Sequence, residues 1–350
     1  MRGLKGLAFC ASIVIVGCAP DRPAAVLAGP EVTTTFEEAF QPVENLRLRA
    51  SSSNPVGSAM AFTAWGDQYA LADGIQSDVK VFGRDGRLVR VIGRPGDGPG
   101  EFRSPVSVAA LPSGELAVLD ARMRLSVFDT LGALLSSKVL PGRRPQQIQV
   151  CECVPEGGGL LVSALVPDAT GTRYGAYAVS GDGELVLRFH MLPEPRAIDA
   201  VRNNFIDVRA VVVGPYIVSL DQTEGCVLRT RYDTGESHWI PIGAEWYTAP
   251  TWPQEYMGLQ ELTDWANRQM WGRTLLALGK GEVLVGYGVF DSQSGSPERR
   301  YAIIDPETGR RTVVSDLAPA RFVAAKGDTL YEARTSHDGD VNLRVFIRRR

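Results

Sequence analysis

The chain has 350 residues, 44% of them hydrophobic and 22% charged, with a formal net charge of −3. That composition excludes a disordered, fibrous or membrane-embedded chain, and its near balance of charge lacks the basic stripe that nucleic-acid binding requires. A chain of this length buries about 75% of its unfolded surface, enough for a core that needs neither metal nor disulfide.

In chain order, residues 1–18 read as an address. Arg2 and Lys5 give a short positive start, and residues 7–16 form an apolar run of signal-peptide length, too short to span a bilayer. The run ends in Ile15-Val16-Gly17-Cys18, which resembles a bacterial lipobox. The resemblance implies removal of the signal peptide and a lipid on Cys18. Ala19-Pro20-Asp21 places no Asp directly after the cysteine, which by the same resemblance implies the outer membrane, facing the periplasm. Residues 19–40, rich in Ala, Pro, Thr and Glu without an apolar period, read as a flexible tether, and residues 41–350 as one domain.

That domain repeats. Strand-turn-strand segments close on Gly86, Gly132, Gly183, Gly235 and Gly309, at separations of 46, 51, 52 and 74 residues. In each, an Asp or Ser opens the turn and the glycine takes the positive φ that closes it. Three strands ending in Asp73, Asp120 and Asp221 precede such turns, and these carboxylates are expected to accept backbone hydrogen bonds. Further turns at 112–114, 157–159, 214–215 and 279–281 complete a four-strand unit. A period near 45–50 with four strands per unit predicts an all-β, six-bladed β-propeller of antiparallel blades. The sixth unit, 321–346, ends without its fourth strand, and residues 44–49 are expected to supply it, closing the ring from both termini.

The run Val91-Ile92-Gly93-Arg94-Pro95-Gly96-Asp97-Gly98-Pro99-Gly100-Glu101-Phe102-Arg103-Ser104-Pro105 and the strands after it resemble the NHL-repeat family over about residues 70–140. The resemblance implies the six-bladed fold and no particular function. The glycine-rich stretch 93–100 leads into a strand and lacks the Lys-Ser/Thr of a phosphate loop, so it reads as an inter-blade connection.

The long connections, 94–104, 166–173, 191–205, 244–273 and 289–300, all fall on one face, where function is expected. The insertion 244–273 holds four of the six tryptophans, and a helix is predicted from Pro253 to Trp271. Trp246, Tyr247, Trp252, Tyr256, Trp265, Arg268 and Trp271, with Arg94 and Arg103, are the expected binding residues. The competing reading has these aromatics simply packing the helix onto the propeller.

No catalytic residue, metal ligand or cofactor is assigned. The expected function is a lipid-anchored binding or scaffold module with a protein or small-ligand partner, and not an enzyme. The alternative is a metal-dependent hydrolase or lyase of gluconolactonase-like or NHL-like type. Its channel cation would take oxygen ligands from Glu101, Asn203, Asn204 and Asp207. The three histidines, His190, His238 and His337, are too scattered for zinc. Among Cys151, Cys153 and Cys226 one disulfide is expected, its pairing open. The excess of arginine, 32 of 37 basic residues, reads as composition bias.

Overall fold

The structure, a computed structural model, describes residues 25–154, 158–192, 207–243, 247–253, 257–290 and 297–349. The signal segment and Cys18 therefore lie outside the described residues.

After two short strands β1 (Ala25–Val26) and β2 (Glu31–Thr34), a helical turn α1 (Phe36–Ala39) and strand β3 (Phe40–Leu48), six antiparallel sheets succeed one another. Blade 1 is β4 (Ala59–Trp65), β5 (Gln68–Asp73), β6 (Asp78–Gly83) and β7 (Leu88–Ile92). Blade 2 is β8 (Pro105–Ala110), β9 (Leu116–Asp120), β10 (Arg124–Phe128) and β11 (Leu134–Val139). Blade 3 is β12 (Arg143–Cys151), β13 (Gly159–Pro167), β14 (Arg173–Ser180) and β15 (Leu185–Met191). Blade 4 is β16 (Val208–Val213), β17 (Tyr216–Asp221), β18 (Cys226–Arg231) and β19 (Ser237–Pro241). Helix α2 (Leu259–Asn267) precedes blade 5, which is β20 (Trp271–Ala277), β21 (Val283–Phe290), β22 (Pro297–Ile304) and β23 (Arg311–Val314). Blade 6 is β24 (Ala324–Lys326), β25 (Thr329–Thr335) and β26 (Val341–Arg348), completed by β3. The protein is a six-bladed β-propeller.

The ring closes as the sequence suggests: β3 pairs antiparallel with β26 from Phe40↔Arg348 to Leu48↔Val341. The five turn glycines all take positive φ. Gly86 shows why no side chain is tolerated: at φ +78 a Cβ there would lie 2.3 Å from the carbonyl oxygen of Arg47 on the closing strand.

Among the described residues the core is not one mass: six large hydrophobic clusters are each wedged between neighbouring blades, and two clusters of three residues accompany them. The wedge that seals the ring joins Leu48, Tyr331, Val341 and Leu343 of blade 6 to Phe62, Leu71 and Phe82 of blade 1. Alternation explains it: successive side chains of a strand face opposite neighbours, so strands buried on both faces read as nearly continuous apolar runs, as in Leu116–Asp120 and residues 283–287.

Two expectations need correction. The segment 19–40 is not a free tether from Ala25 onward. β1 lies parallel to β19 and β2 parallel to β23, as fifth strands on blades 4 and 5. Thr35 and Glu38 then form a capping box that starts α1, burying Phe36 and Ala39 against Phe322 and Phe346. The unpaired outer edges of two blades draw in whatever extended chain passes them. The second correction concerns the insertion helix. It begins at Leu259 after the extended Gly258, and ends before Trp271, which instead opens inner strand β20.

Candidate functional site

The Asp that ends the second strand of blades 1, 2 and 4 does the structural task expected of it. Asp73 accepts hydrogen bonds from the backbone N–H groups of Gly57 (2.7 Å), Ser58, Ile75 and Gln76. Asp120 accepts from Arg103, Arg122 and Arg124 N–H, and Asp221 from Thr223 N–H. Each carboxylate ties the connection arriving from the previous blade, or its own turn, to the rigid sheet. In blade 1 the fully buried Lys80 joins the arrangement, donating to Asp73 (3.1 Å) and Asp78 (2.7 Å). In blade 6 Glu332 takes the same role, accepting from Arg321 N–H and pairing with Arg334 and Arg344.

The longest connections lie at this end of the sheets, and most of those at the other end are tight turns. The predicted binding residues are distributed over this loop-rich face, and Trp246 and Tyr256 lie outside the described residues. Trp252, Trp265 and Trp271 form one aromatic cluster with ring centroids 5.4 to 6.2 Å apart. Trp265 and Trp271 are buried, and their indole N–H groups donate to the carbonyls of Thr251 and Ala266, each at 2.8 Å. Tyr247 meets Tyr287 edge-on and donates to Thr223 O. These side chains therefore hold the insertion to the rim of blade 5 instead of standing out as free anchors; an indole whose polar end is already satisfied inside gains nothing by facing water. Arg268, at the end of α2, is exposed. Arg94 and Arg103 are exposed too, but they brace the glycine-rich loop, Arg94 on Glu101 and Arg103 on Asp97 through both carboxylate oxygens.

Of the four candidate cation ligands, the described residues include Glu101 and Asp207. Asn203 and Asn204 lie outside the described residues, Glu101 is held by Arg94 and Gly98 N–H, and Asp207 sits among arginines. Among the described residues no three His, Cys, Asp or Glu side chains gather to hold a metal. His190 is buried with Nδ1 2.7 Å from Ser219 Oγ, and His238 contacts Arg229 on an outer strand. Cys151 and Cys153 form a disulfide, and Cys226 is a buried thiol.

The six inner strands enclose a central cavity of about 670 Å³, walled by residues such as Ala61, Val108, Ile148, Val211, Leu275 and Ala324. Toward the loop-rich face it adjoins a recess of about 410 Å³ lined by Val106, Ala121, Arg144, Pro145, Gln146 and Asp207. Here lies a group of residues that sequence reasoning missed. Arg144, Arg209, Arg273 and Arg321 each stand where the chain enters the inner strand of blades 3, 4, 5 and 6. Arg144 has positive φ and Arg273 occupies a bulge between Gly272 and Thr274, irregularities that turn a side chain out of the strand's regular alternation. Arg209 reaches Gln146 Oε1 at 3.4 Å, and Arg273 lies over the Trp271 ring.

The electrostatics of this mouth are those of crowded like charges around one acid. Burial pushes the Asp207 carboxyl up to about 6, against the pull of Arg144 and Arg209. Burial brings the Arg209 guanidinium down to about 10; Asp207 resists the shift, and Arg273 and Arg321 add to it. Arg273 is lowered for the same reasons. The signal was present in the sequence, since an arginine stands at or near the start of each of four successive inner strands. It appears only when strand starts are aligned, and a count of arginines along the chain hides it.

A closed six-bladed ring, a loop-rich face and an open arginine-rimmed channel define the class. A family model, DUF5128, described as a 6-bladed beta-propeller, matches residues 24–151. No curated protein matches the sequence. The chain is similar in structure to a Bacteroides fragilis protein described as a candidate exported protein, at TM-score 0.62 and 13% identity over 91% of this chain and 99% of that one. It is also similar to a DUF4221-family protein of Bacteroides vulgatus, at TM-score 0.63 and 10% identity over 89% and 99%. U3-55K aligns at TM-score 0.50 and 12% identity over 88% and 100%. At such identities the likeness is one of fold alone.

Proposed function

We propose that this protein is a binding or scaffold module of the bacterial cell envelope, anchored by a lipid on Cys18 to the periplasmic face of the outer membrane, and that it works through its loop-rich face. The observation that carries the proposal is the asymmetry between the two faces. One consists mostly of tight turns closed by glycine; the other gathers the long connections, and at its rim Trp252, Trp265 and Trp271 pack α2 against the start of blade 5. A preordered rim costs little conformational entropy on docking, which favours binding. Arg268 and the half-buried Trp252 are the outward part of that rim. The lipobox-like Gly17-Cys18 and the NHL-like segment 91–105 support an envelope propeller, as does the description of the Bacteroides fragilis neighbour as a candidate exported protein.

The test is photocrosslinking in the native cell with the probe at Trp252 or Arg268, against controls at Gly235 and Glu236 on the tight-turn face. A recurrent protein adduct from the first pair alone supports docking through this face. Equal adducts from both faces, or none but lipid, refute it.

A further inference from the structure

We propose that the loop-face mouth of the central channel is an anion-binding site, formed by Arg209, Arg273 and Arg321 with Arg144 at the edge of the recess, and that it takes a small oxyanion carrying two or more negative charges. This site goes beyond the rim surface and lies in the channel itself.

Three observations support it. The first is unspent charge. Among the described residues no carboxylate lies within ion-pair distance of Arg209, Arg273 or Arg321, whereas other arginines of this protein are paired: Arg47 with Asp338 and Asp340, Arg103 with Asp97, Arg348 with Glu282. The second is imbalance. Asp207 is the carboxylate whose charge acts on Arg209 and Arg273, its Oδ1 is buried without a donor, and it forms no bridge to either. Among the described residues one carboxylate acts on Arg209 and Arg273, to which Arg321 adds a third positive charge, so this group is net positive. Charges crowded in a walled recess focus their field on what enters. Arginine clusters held apart from one another cost energy in the empty protein, and an oxyanion accepting several of their N–H groups relieves that cost. The third is room. The recess of about 410 Å³ and the cavity of about 670 Å³ behind it are of small-ligand size. Backbone and short side chains such as Ala61, Ala109 and Ala324 wall the cavity, leaving it open. A macromolecular polyanion does not fit such a space; a phosphate or a polycarboxylate does.

Calorimetric titration of the purified full chain with inorganic phosphate and with citrate, at constant ionic strength set by chloride, tests this. The expected result is saturable binding of at least one of them, weakened about tenfold or more by Arg321→Gln and by Arg273→Gln, the scale of one charged hydrogen bond. Arg321 and Arg273 are both exposed, so these variants should keep the wild-type unfolding midpoint. Asp207→Asn removes the competing carboxylate and should tighten binding. Phosphate alone would assign a phosphate-bearing ligand, and citrate alone a carboxylate. No saturable binding of either anion, or affinities indifferent to both arginine changes, would overturn the proposal. Neither outcome touches the docking surface, which the crosslinking at the rim tests by itself.

Discussion

The buried lysine of blade 1 offers a controlled measurement, because blade 2 repeats the same turn without it. Asp73 accepts four backbone N–H groups and Lys80 Nζ; Asp120 accepts three backbone N–H groups and no side-chain cation. Asp120→Ala orphans donors that sit at the loop face, where water replaces part of the loss, and should cost about 2–3 kcal/mol. Asp73→Ala orphans a similar set and also strands Lys80, whose side chain is 0% exposed, on Asp78 alone. Breaking a buried pair by removing one partner costs roughly 3–5 kcal/mol. The two losses overlap, so Asp73→Ala should exceed Asp120→Ala by about 2 kcal/mol or more. Guanidinium unfolding followed by tryptophan fluorescence measures both midpoints. Asp73→Ala combined with Lys80→Met should then recover much of the excess, because the stranded cation is gone. Asp78, whose carboxyl burial already pushes upward, is the carboxylate best able to remain there neutral. Equal costs for Asp73→Ala and Asp120→Ala, or no recovery in the double variant, would refute the assignment of the lysine as the costly element.

Asp207 gives a pH signature. Its folded value near 6 lies above the ordinary unfolded value of about 3.9, under the combined influence of burial, Arg144, Arg209, Asp221 and Arg273, so its stabilising contribution is complete below about pH 4 and lost as pH rises through 6. Asp207→Asn should therefore be more stable than wild type at pH 7.5, by on the order of 1–2 kcal/mol, and equal to it near pH 4, as thermal melts across that range will show. Trp265→Ala removes the indole that holds α2 to Thr251 and the tryptophan cluster. It should open the 247–270 connection to limited proteolysis while the propeller's own unfolding midpoint moves little. Deleting residues 25–34 bares the outer edges of β19 and β23. Light scattering should show concentration-dependent association, with near-wild-type circular dichroism.

The fold was legible because its determinants are local and repeated. Gly86, Gly132, Gly183, Gly235 and Gly309 each carry a backbone demand that no other residue meets as readily, and their spacing counts the blades. Ring closure followed from an unpaired strand at one end and a missing one at the other. The parallel β1 and β2 were not legible: two- and four-residue strands at an outer edge gain pairing from an existing sheet and need no pattern of their own. The Thr35–Glu38 capping box was visible in the sequence as a spacing, yet it lay inside a segment whose composition read as tether. The tryptophans were legible as a cluster but not in their orientation, since the same residues serve as anchors or as packing. The channel arginines come from four blades and converge only when the ring closes, so no window of sequence contains them.

The edge strands have a consequence for how the module would stand on a membrane. Ala25 pairs with His238, beside the tight turn that precedes β19 and at the opposite end of that strand from the long connection into blade 5. The chain thus joins the body at the outer perimeter, away from the loop-rich face. Seven residue steps separate Cys18 from Ala25 and reach at most roughly 25 Å when fully extended. That reach is short beside a propeller of this mass, so a lipid on Cys18, if the proposed anchor is present, would restrain orientation as well as location: the perimeter of blade 4 would be held near the headgroups and the channel mouth and Arg268 turned away from them. A fluorophore attached through Glu236→Cys in the lipidated, reconstituted protein should be quenched by headgroup nitroxides more strongly than one attached through Arg268→Cys. Were the two quenched alike, the belt formed by β1 and β2 would not set the orientation, and the case for a loop face kept clear of the membrane would fall with it.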